Sequence, residues 1–568
     1  MNRLSKWSWP RYASCLSAVA MTLFSTCLAP AVAKAQCPPA TACDPGPRPV
    51  GSQSATLAGP KNSAGVALLP TPVVNTRQPG DANGNEGAGR PIAVAGNSGA
   101  AGKFWGNAAA IFGQLASVDG ASDPASSNPT LVGLGPAFNG NSCFMCHSQP
   151  AIGGTSPGVG TPGFTGNPQI ALAKALGASN PENLSTIITP NGPTREARFI
   201  LSETDPGRHT LDGGVHELFT IAGRSDAPPG CVVSQPDIST QLANRNVIFR
   251  IPTPTFGLGL VESVADADLV RNAALEHGLN ATIQNAVLNR SGNDGTVARF
   301  GWKAQNKSLL LFAGEAANVE LGLTNELFPN EKAPGTNCAT NPLPEDDTKV
   351  VFETGLNPQD VDSFVSSAIE NFALFMRING APGQCDFASG VDASGNALCN
   401  PLSASALAGL KVFNSIGCNV CHTQSFTTQP SNVEGLSNRT FQPFSDFGLH
   451  HMGATLADGV TQGLAGPDQF RTAPLWGLGQ RLFFLHDGRT SDLKQAILDH
   501  AGNPFSCVIT AATQIFTVTF PLDNNETANF FPASGGTFCG SEANQVVANF
   551  KNQSVINQQN LLNFLRSL

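Results

Sequence analysis

Two stretches of the sequence decide the fold: Cys143-Phe144-Met145-Cys146-His147 and Cys418-Asn419-Val420-Cys421-His422. In a Cys-x-x-Cys-His motif the two thiols add to the vinyl groups of a haem, and the adjacent imidazole becomes the proximal ligand of the iron. A redox dithiol or half of a zinc site needs only Cys-x-x-Cys, whereas both copies here have His next. The sequence therefore predicts two covalently bound c-type haems, with His147 and His422 as iron ligands.

The first 35 residues predict export from the cytoplasm. Basic residues precede an apolar stretch from about residue 13 to 32, and Ala33-Lys34-Ala35 has the small residues of a signal-peptide cleavage site. Polar residues and Pro30 interrupt the apolar stretch, and no later segment is apolar for long enough to span a bilayer. We therefore expect a cleaved signal peptide at residues 1–35, no membrane span, and a periplasmic or secreted protein.

Charge and composition limit the partners and the type of fold. The net charge is −9 and no run of basic residues occurs, so the clustered cations that nucleic acids require are missing. Only 13% of the residues are charged, while the chain contains 59 Gly and 42 Pro. This composition favours a fold with long ordered loops over a compact helical bundle.

Eight cysteines remain outside the signal peptide and the two motifs, and an even number in an exported chain suggests disulfides. Proximity along the chain suggests three pairs and leaves two cysteines for a fourth. Because connectivity cannot be deduced from sequence, these pairings are hypotheses: Cys37–Cys43, Cys385–Cys399, Cys507–Cys539 and Cys231–Cys338.

The haem motifs divide the rest of the chain into predicted domains. Residues 36–102 are rich in Gly and Pro and read as a linker or arm, followed by an N-terminal haem domain at 103–335. A connecting segment at 336–402 and a C-terminal cytochrome c domain at 403–568 complete the chain. Apolar spacing predicts helices at 103–115, 360–378 and 403–415, and short β-like runs with turns between about 170 and 256.

The two halves also show a weak internal repeat. Residues 249–259 resemble 470–479 with one gap, and residues 300–312 can be aligned with 484–496, which places Trp302 opposite His486. Chance similarity between Gly- and Pro-rich segments is the alternative. The shared order of haem motif, Phe-Arg segment and aromatic segment favours a duplication.

The second axial ligand of each iron separates electron carriers from catalysts, because an open position can bind a small molecule. The only tyrosine, Tyr12, lies in the predicted signal peptide. Of the histidines outside the motifs, four crowd the second half, and we take His486 and His500 as the candidates for the second iron. Their aligned counterparts Trp302 and Ala316 cannot bind iron, so the first haem is expected to have an open face. The remaining candidates are the histidines 209, 216, 277, 450 and 451 and the methionines 145, 376 and 452.

Trp302 and two nearby carboxylates are the candidate residues for chemistry at the open haem. A lone Trp is more often part of a core, but its position opposite a candidate ligand favours a place between the haems. Glu315 and Glu320 follow, and a carboxylate beside an open haem can move the proton that cleavage of an O–O bond requires. A solvated acidic side chain is the alternative for each of them.

With these residues in hand, the chain resembles the di-haem oxidoreductase family of proposed peroxidases, which are relatives of the bacterial di-haem cytochrome c peroxidases and the methylamine-utilisation di-haem enzymes. The resemblance runs from about Phe104 to the end of the chain. It rests on the segments 133–139, 149–154, 212–216, 299–307, 444–447 with His450, 484–489 and 561–568.

The resemblance implies a mainly α fold of two tandem cytochrome c-like domains with long loops and a short β-containing insertion in the first. It implies a catalytic haem at His147 and an electron-transfer haem at His422, with Trp302 as relay and Glu320 as catalytic proton donor. The sequence departs from the peroxidases in two places: Lys303-Ala304-Gln305 replaces Asp-Gly-Arg after the Trp, and Gln469 replaces a ligand Met.

The implied partners are a small oxidant, peroxide or oxygen, and a periplasmic electron donor. A calcium ion between the domains is implied by analogy only, without assigned ligands. Two other functions stay open: a pure electron-transfer cytochrome, and a haem oxygenase that acts on an apolar organic substrate.

Overall fold

Helices and short strands alternate along the chain. The computed structural model describes residues 41–47, 88–89, 91–92, 100–118, 131–159, 161, 163–176, 187–205, 210–279, 287–332, 335–338, 367–384, 402–502, 507–509, 516–520, 526–530 and 541–568. The helices within these segments are α1 (Ala100–Gly113), α2 (Cys143–Cys146), α3 (Pro168–Leu176), α4 (Ile238–Ala243), α5 (Leu258–Glu262), α6 (Asp266–Leu279), α7 (Leu309–Leu321), α8 (Ala368–Ile378), α9 (Ala404–Ile416), α10 (Leu493–Asp499), α11 (Asn544–Lys551) and α12 (Val555–Leu565). Short 3-10 helices span Cys418–Val420 and Glu434–Leu436.

The strands form small sheets of two or three members. They are β1 (Ala116–Ser117), β2 (Leu131–Val132), β3 (Ala137–Phe138), β4 (Glu196–Phe199), β5 (Val215–His216), β6 (Phe219–Thr220), β7 (Val247–Arg250), β8 (Phe426–Thr427), β9 (Thr440–Phe441), β10 (Leu449–His451), β11 (Gln469–Arg471), β12 (Cys507–Ile509), β13 (Phe516–Phe520) and β14 (Glu526–Phe530). The sheet orders are β1-β2, β3-β6, β5-β4-β7, β8-β9, β10-β11 and β12-β13-β14; only β1 and β2 pair in parallel. The described fold is thus a mixture of helices and small sheets rather than the expected mainly α fold. The β runs predicted between 170 and 256 are present as β4 to β7.

The first haem motif lies beside a helix pair, α1 and α8. In α1 the buried residues Trp105, Ala108, Ala109 and Phe112 recur at the spacing of one helix face. Phe112 packs against Phe375 of α8 with ring centroids 4.4 Å apart. Apolar spacing therefore predicted these helices correctly where the structure describes them.

The second haem motif lies beside an equivalent pair, α9 and α12. Phe413 of α9 packs against Phe564 of α12 with centroids 5.4 Å apart. Gly409 permits close approach of the two backbones, because a Cβ there would lie 2.0 Å from the carbonyl oxygen of Asn560. Ser403 and Ser554 cap the two helices by accepting backbone N–H hydrogen bonds.

The aligned segments of the two halves adopt the same local geometry. Phe300 pairs with Asn306 in an antiparallel bridge, and Phe484 pairs with Thr490 at the matching positions. Each bridge leads to a capped helix: Ser308 caps α7, and Asp492 caps α10.

A second match ties each half to its own last helix. Gly257 and Gly477 both have positive φ, 62° and 74°, where a side chain would be strained. Their N–H groups donate to the carbonyls of Asn379 and Leu568, at 3.0 and 2.8 Å, just beyond the ends of α8 and α12. The two halves therefore share the same backbone geometry at positions that the sequence alignment made equivalent.

Parts of the segment predicted as linker or arm pack against the rest of the chain. Asp44 accepts hydrogen bonds from the fully buried Arg566 at 2.8 and 2.5 Å and from the Leu493 N–H at 2.8 Å. Ile92 donates to the carbonyl of Ile378 at 2.8 Å. Pro39–Leu568 form one compact unit, and the predicted domain boundaries within it stay predictions.

The disulfide hypothesis is confirmed for one pair. Cys231 and Cys338 are bonded, with a Cα–Cα distance of 4.5 Å and a sequence separation of 107. Cys43 is also disulfide-bonded. Cys37, Cys385, Cys399 and Cys539, like the predicted signal peptide, lie outside the described residues. None of the described helices has the length and apolar character needed to cross a membrane.

Candidate functional site

The first haem motif forms helix α2 and places its histidine in a buried environment. The Nδ1 of His147 lies 2.9 Å from the carbonyl oxygen of Gly154, and because a carbonyl only accepts, Nδ1 carries the hydrogen. Burial lowers the pKa of His147 to about 4, so the imidazole is neutral at pH 7. A neutral imidazole with a hydrogen on Nδ1 has its free electron pair on Nε2, which is the form that ligates iron.

The second motif repeats this arrangement. His422 follows the 3-10 helix at Cys418–Val420, and its Nδ1 lies 2.9 Å from the carbonyl oxygen of Phe444. Burial lowers its pKa to about 4. Phe112 and Phe413, one from each helix pair, contact His147 and His422 with ring centroids 6.0 and 6.3 Å away.

Each motif lines its own cavity, which we call cavity 1 for His147 and cavity 2 for His422. Cavity 1 has a volume of about 160 Å³ and cavity 2 of about 220 Å³. Both cysteines and the histidine of each motif face the respective cavity.

The wall of cavity 1 is rich in charged groups. Besides the motif it is lined by three carboxylates and three guanidinium groups: Glu196, Glu315, Glu320, Arg195, Arg198 and Arg250. Glu320, the candidate proton donor, has a pKa raised well above the usual range, first by burial and then by the adjacent Glu196 carboxylate. Glu315 also faces this cavity and accepts a hydrogen bond from Asn306.

The wall of cavity 2 is mainly apolar, and its ionisable groups outside the haem motif are histidines, two arginines and one carboxylate, Glu542. His486 and His500, the two candidate ligands, both line it and are both held neutral, because burial lowers their pKa. The Nδ1 of His500 donates to the Ala496 carbonyl at 2.6 Å. His486 instead stacks on Phe470 with ring centroids 4.3 Å apart, and its ring nitrogens have no hydrogen-bond partner among the described residues.

Arginines in cavity 2 are suited to the negative propionates of a haem. Arg471 and Arg481 are both buried and line the cavity, and burial lowers the pKa of each to about 10, so both remain charged at pH 7. Within the described segments no carboxylate forms an ion pair with Arg481. Since a buried unpaired cation is costly, an anionic group in the cavity would supply the missing partner. The thiols, the neutral histidine and these cations together fit a haem.

Trp302 lies in the wall between the two cavities and lines both of them. Its indole N–H donates to the Ile251 carbonyl at 2.8 Å, and its ring centroid is 6.4 Å from that of His486. Trp302 and His486, which occupy equivalent positions in the sequence alignment, are therefore also neighbours in space.

Backbone groups from both halves join across this wall. The N–H of Ile251 donates to the carbonyl of His486, and the N–H of Arg471 donates to the carbonyl of Trp302, each at 2.8 Å. Arg471 adds a side-chain hydrogen bond from Nε to the Gly301 carbonyl at 2.8 Å. The wall is thus built reciprocally, with each half accepting a bond from the other.

A buried charge cluster supports the wall from one side. Asp458 pairs with Arg250 at 2.6 Å and with Lys303 at 3.0 Å, and all three side chains are buried. The Lys303 ammonium also lies 4.1 Å from the ring centroid of Phe470. Lys303, which replaces the expected Asp after Trp302, therefore has a structural partner in Asp458.

His450, one of the remaining ligand candidates, lies between two carboxylates beside the second motif. Its Nε2 lies 2.7 Å from Asp446 and its Nδ1 lies 2.9 Å from Glu542, all buried. Burial alone would lower the pKa of His450, but the Cys421 sulfur and the Asp446 carboxylate raise it well above the usual range. With both nitrogens engaged by carboxylates, His450 is a poor iron ligand in this arrangement.

The implied calcium ion gains no ligand set from the described residues. The one group of three metal-type ligands there is Cys421, Asp446 and His450, and Cys421 belongs to a haem motif. Calcium prefers oxygen ligands, so this cluster does not suit it.

Several functional candidates escaped the sequence reasoning. Glu196 and Arg198 line cavity 1 and Arg481 lines cavity 2, yet none of them lies in a motif; Arg471, also in cavity 2, belongs to the repeated Phe-Arg segment but was given no role. The alternation Glu196-Ala197-Arg198 in strand β4 was a usable signal, because residues two apart point to the same face of a strand. For Arg481 the sequence carries no such signal.

A comparison with known protein families identifies the family of the chain. The family described as "Di-haem oxidoreductase, putative peroxidase" matches residues 210–513, which is more than half of the chain. The chain belongs to this family. The matched range includes the motif at His422, and the motif at His147 precedes it.

Other comparisons add little to the description of this di-haem oxidoreductase. No curated protein matches the chain. Among solved structures, a hydrazine synthase from Kuenenia stuttgartiensis, pressurised with xenon, is 15% identical with a TM-score of 0.19. The match covers 37% of this chain and 60% of that chain, which is less than two thirds of its length. A likeness this slight carries no argument about fold or activity.

Proposed function

We propose that this di-haem oxidoreductase is an exported, peroxidase-like enzyme with two covalently attached haems of unlike roles. The haem at His147 would be catalytic and open on one face, and the haem at His422 would transfer electrons. The observation that carries the proposal is the unlike lining of the two cavities: Glu196, Glu315 and Glu320 line cavity 1, whereas His486 and His500 line cavity 2.

The residues that would hold the haems follow from the cavities. Cys143 and Cys146 would bind the first and Cys418 and Cys421 the second, with His147 and His422 as proximal ligands. Arg471 and Arg481 would neutralise the propionates in cavity 2. When bound in cavity 1, an open haem supplies the iron centre at which peroxide is reduced.

The chain itself would manage protons and electrons. Reduction of hydrogen peroxide to two water molecules consumes two protons and two electrons. Glu320 lines cavity 1 with the first motif, and desolvation and the Glu196 carboxylate raise its pKa, so it is suited to act as a general acid. Trp302 lies between the cavities and is suited to carry electrons from the second haem to the first. The electrons would come from a periplasmic donor.

The two alternative functions predict different residues in the wall of the cavity at the first motif. A pure electron carrier has no use for a protonated carboxylic acid beside one iron, and an oxygenase acting on an apolar substrate would need an apolar cavity at its open haem. The six ionisable side chains in the wall of cavity 1 favour a small polar substrate such as peroxide.

The test uses the purified mature protein. Its mass is expected to exceed that of the polypeptide by two haems, and its colour should stay with the polypeptide in acidified organic solvent. Electron paramagnetic resonance of the oxidised protein should show one high-spin and one low-spin haem. Two low-spin haems at every pH would indicate an electron carrier instead. Cleavage of an apolar substrate with oxygen and without peroxide would indicate an oxygenase.

A further inference from the structure

Residues 41–47 lie near the start of the sequence but pack against α10 and α12 at its end. Ala42 is buried in an apolar cluster with residues of α9, α10 and α12. Its carbonyl accepts a hydrogen bond from the Lys494 ammonium of α10 at 2.7 Å, and the N–H of Cys43 donates to Oε1 of Gln559 in α12 at 3.0 Å. Apolar packing and hydrogen bonds thus bind this segment to both helices.

Asp44 is the central contact of the segment, because its carboxylate binds two different elements. Its oxygens accept from Nε and Nη2 of Arg566 at 2.8 and 2.5 Å, and Oδ2 also accepts from the N–H of Leu493 at 2.8 Å. The side chains of Asp44 and Arg566 are 8% and 1% exposed. Burial alone would raise the pKa of Asp44, but the Arg566 guanidinium outweighs burial and lowers it, so Asp44 is ionised at neutral pH. Removing one partner of such a pair leaves a buried charge unpaired, which is costly.

The bond from Leu493 completes the capping of α10. The first N–H groups of a helix have no acceptor within the helix. Asp492 accepts from the N–H groups of Lys494 and Gln495 at 2.8 and 3.2 Å, whereas that of Leu493 donates to Asp44, 449 residues earlier in the chain. Seven residues are too few for a stable isolated helix, so the position of α10 depends on contacts with the rest of the protein.

The other end of α10 carries the candidate ligand His500, which is its C-terminal cap residue. Leu493, Ala496, Ile497 and His500 all line cavity 2. One short helix therefore meets Asp44 at its first residue and presents a candidate iron ligand at its last turn. A displacement of the start of α10 would also displace His500.

Arg566 links Asp44 to a second part of the wall of cavity 2. Its Nη1 donates to the carbonyls of Leu478 and Arg481 at 3.2 and 3.0 Å, and its guanidinium carbon lies 5.0 Å from the ring centroid of Phe484. Leu478, Arg481 and Phe484 all line cavity 2. Through one carboxylate, Asp44 therefore fastens α10 to this part of the wall.

From these contacts we propose that Asp44 is a positioning residue for the second haem, which fixes α10 so that His500 is held as the second ligand of the iron at His422. The inference rests on the proposed function, because it concerns the electron-transfer haem. Without the Asp44 carboxylate, the Leu493 N–H and the Arg566 guanidinium lose their shared acceptor. The helix then gains freedom to move, and in part of the molecules His500 is too far away to ligate.

The test is electron paramagnetic resonance of the oxidised holoprotein, with the high-spin and low-spin signals quantified per protein. In Asp44→Ala, part of the low-spin signal should convert, so that the high-spin signal rises above one haem per protein. Asp44→Asn keeps an oxygen that can accept from the Leu493 N–H but lacks the charge that pairs with Arg566, and it should convert a smaller fraction. A second haem that stays fully low-spin in both variants would overturn the inference.

Asp237→Ala is the matched control for a general loss of stability. Asp237 caps the short helix α4 by accepting from the Thr240 N–H at 2.9 Å, and it is not among the residues that line the two cavities. This variant should lower the unfolding midpoint, because a helix cap is lost, and leave both spin states as in wild type. Conversion of the second haem in Asp237→Ala as well would assign the effect to lost stability and reject the role of Asp44.

A double variant shows whether Asp44 acts through His500. In His500→Ala the second haem should already be high-spin, so adding Asp44→Ala should change the signal no further. A second haem that stays low-spin in His500→Ala would reject the inference and leave the proposed function in place. Two low-spin haems in the wild type would contradict the proposed function, whereas a high-spin signal that then appears only in Asp44→Ala would still support the role of Asp44.

Discussion

At the scale of single residues, His500 is the better candidate for the second ligand of an iron at His422. The hydrogen bond from its Nδ1 to the Ala496 carbonyl leaves Nε2 with a free electron pair, as in His147 and His422. We expect His500→Ala to convert the second haem from low spin to high spin in electron paramagnetic resonance.

His486→Phe is the matched control for that substitution. His486 stacks on Phe470 and lies beside Trp302, and a Phe preserves the aromatic contact. The variant should keep the second haem low-spin. The reverse outcome, high spin in His486→Phe and low spin in His500→Ala, would assign the ligand to His486.

Single residues also show how far sequence reasoning reaches. That His147 and His422 each line a cavity with their two cysteines was predictable from contiguous motifs, and the internal alignment pointed to Trp302 as the counterpart of His486. The choice between His486 and His500 depends on what each ring nitrogen contacts, which sequence spacing does not encode. Glu196 and Glu320 line the same cavity only because of the fold, since more than a hundred residues of chain separate them.

At the scale of secondary-structure elements, Gly409 limits how closely α9 and α12 pack. Gly409→Ala would push a methyl group against the Asn560 carbonyl, and overpacking of this kind costs about 1–3 kcal/mol. Gly106 in α1 is the control, because no atom lies within 4 Å of the position its Cβ would take. Gly106→Ala should raise the free energy of unfolding by about 0.5–1 kcal/mol, since Ala suits a helix better than Gly.

The measurement is the unfolding midpoint of both variants in denaturant, followed by circular dichroism. Opposite shifts, downward for Gly409→Ala and upward for Gly106→Ala, are expected. Equal shifts of the unfolding midpoint in the two variants would show that the close packing of α9 on α12 does not restrict the residue at position 409.

Elements differed in how well they could be predicted. The helices beside the motifs have apolar residues at helical spacing, so their existence was evident from sequence. Most of the strands contain two or three residues, too few for an alternating pattern, and their pairing depends on distant partners such as Phe138 with Phe219. The mixed character of the fold therefore emerged only from the structure.

At the scale of the whole molecule, the Cys231–Cys338 disulfide restrains a long loop. Closing 107 residues removes conformational freedom from the unfolded chain, which corresponds to about 4–5 kcal/mol of stability in the chain-entropy account. The double variant Cys231→Ala, Cys338→Ala should lose a corresponding part of its unfolding free energy in denaturant titrations. An unchanged midpoint would show that packing of this region suffices without the bond.

The general organisation of the molecule followed from sequence, but its arrangement in space did not. The order of motif, Phe-Arg segment and aromatic segment predicted a repeated unit, and both halves show it. That Asp44, in a segment read as linker or arm, lies against Arg566 at the far end of the chain could not be predicted, because no local pattern marks such a long-range pair.

The reciprocal backbone bonds between Ile251 and His486, and between Arg471 and Trp302, have a consequence for how the two copies can diverge. Hydrogen bonds between backbone groups do not depend on the side chain. One half of the repeat can therefore have tryptophan where the other has histidine, and the backbone bonds across the wall between the cavities still form. An insertion or deletion near these positions in either half of the repeat would move the donors and acceptors of both backbone bonds out of register. The backbone bonds of this wall therefore survive a change of side chain, whereas a change of chain length would break them.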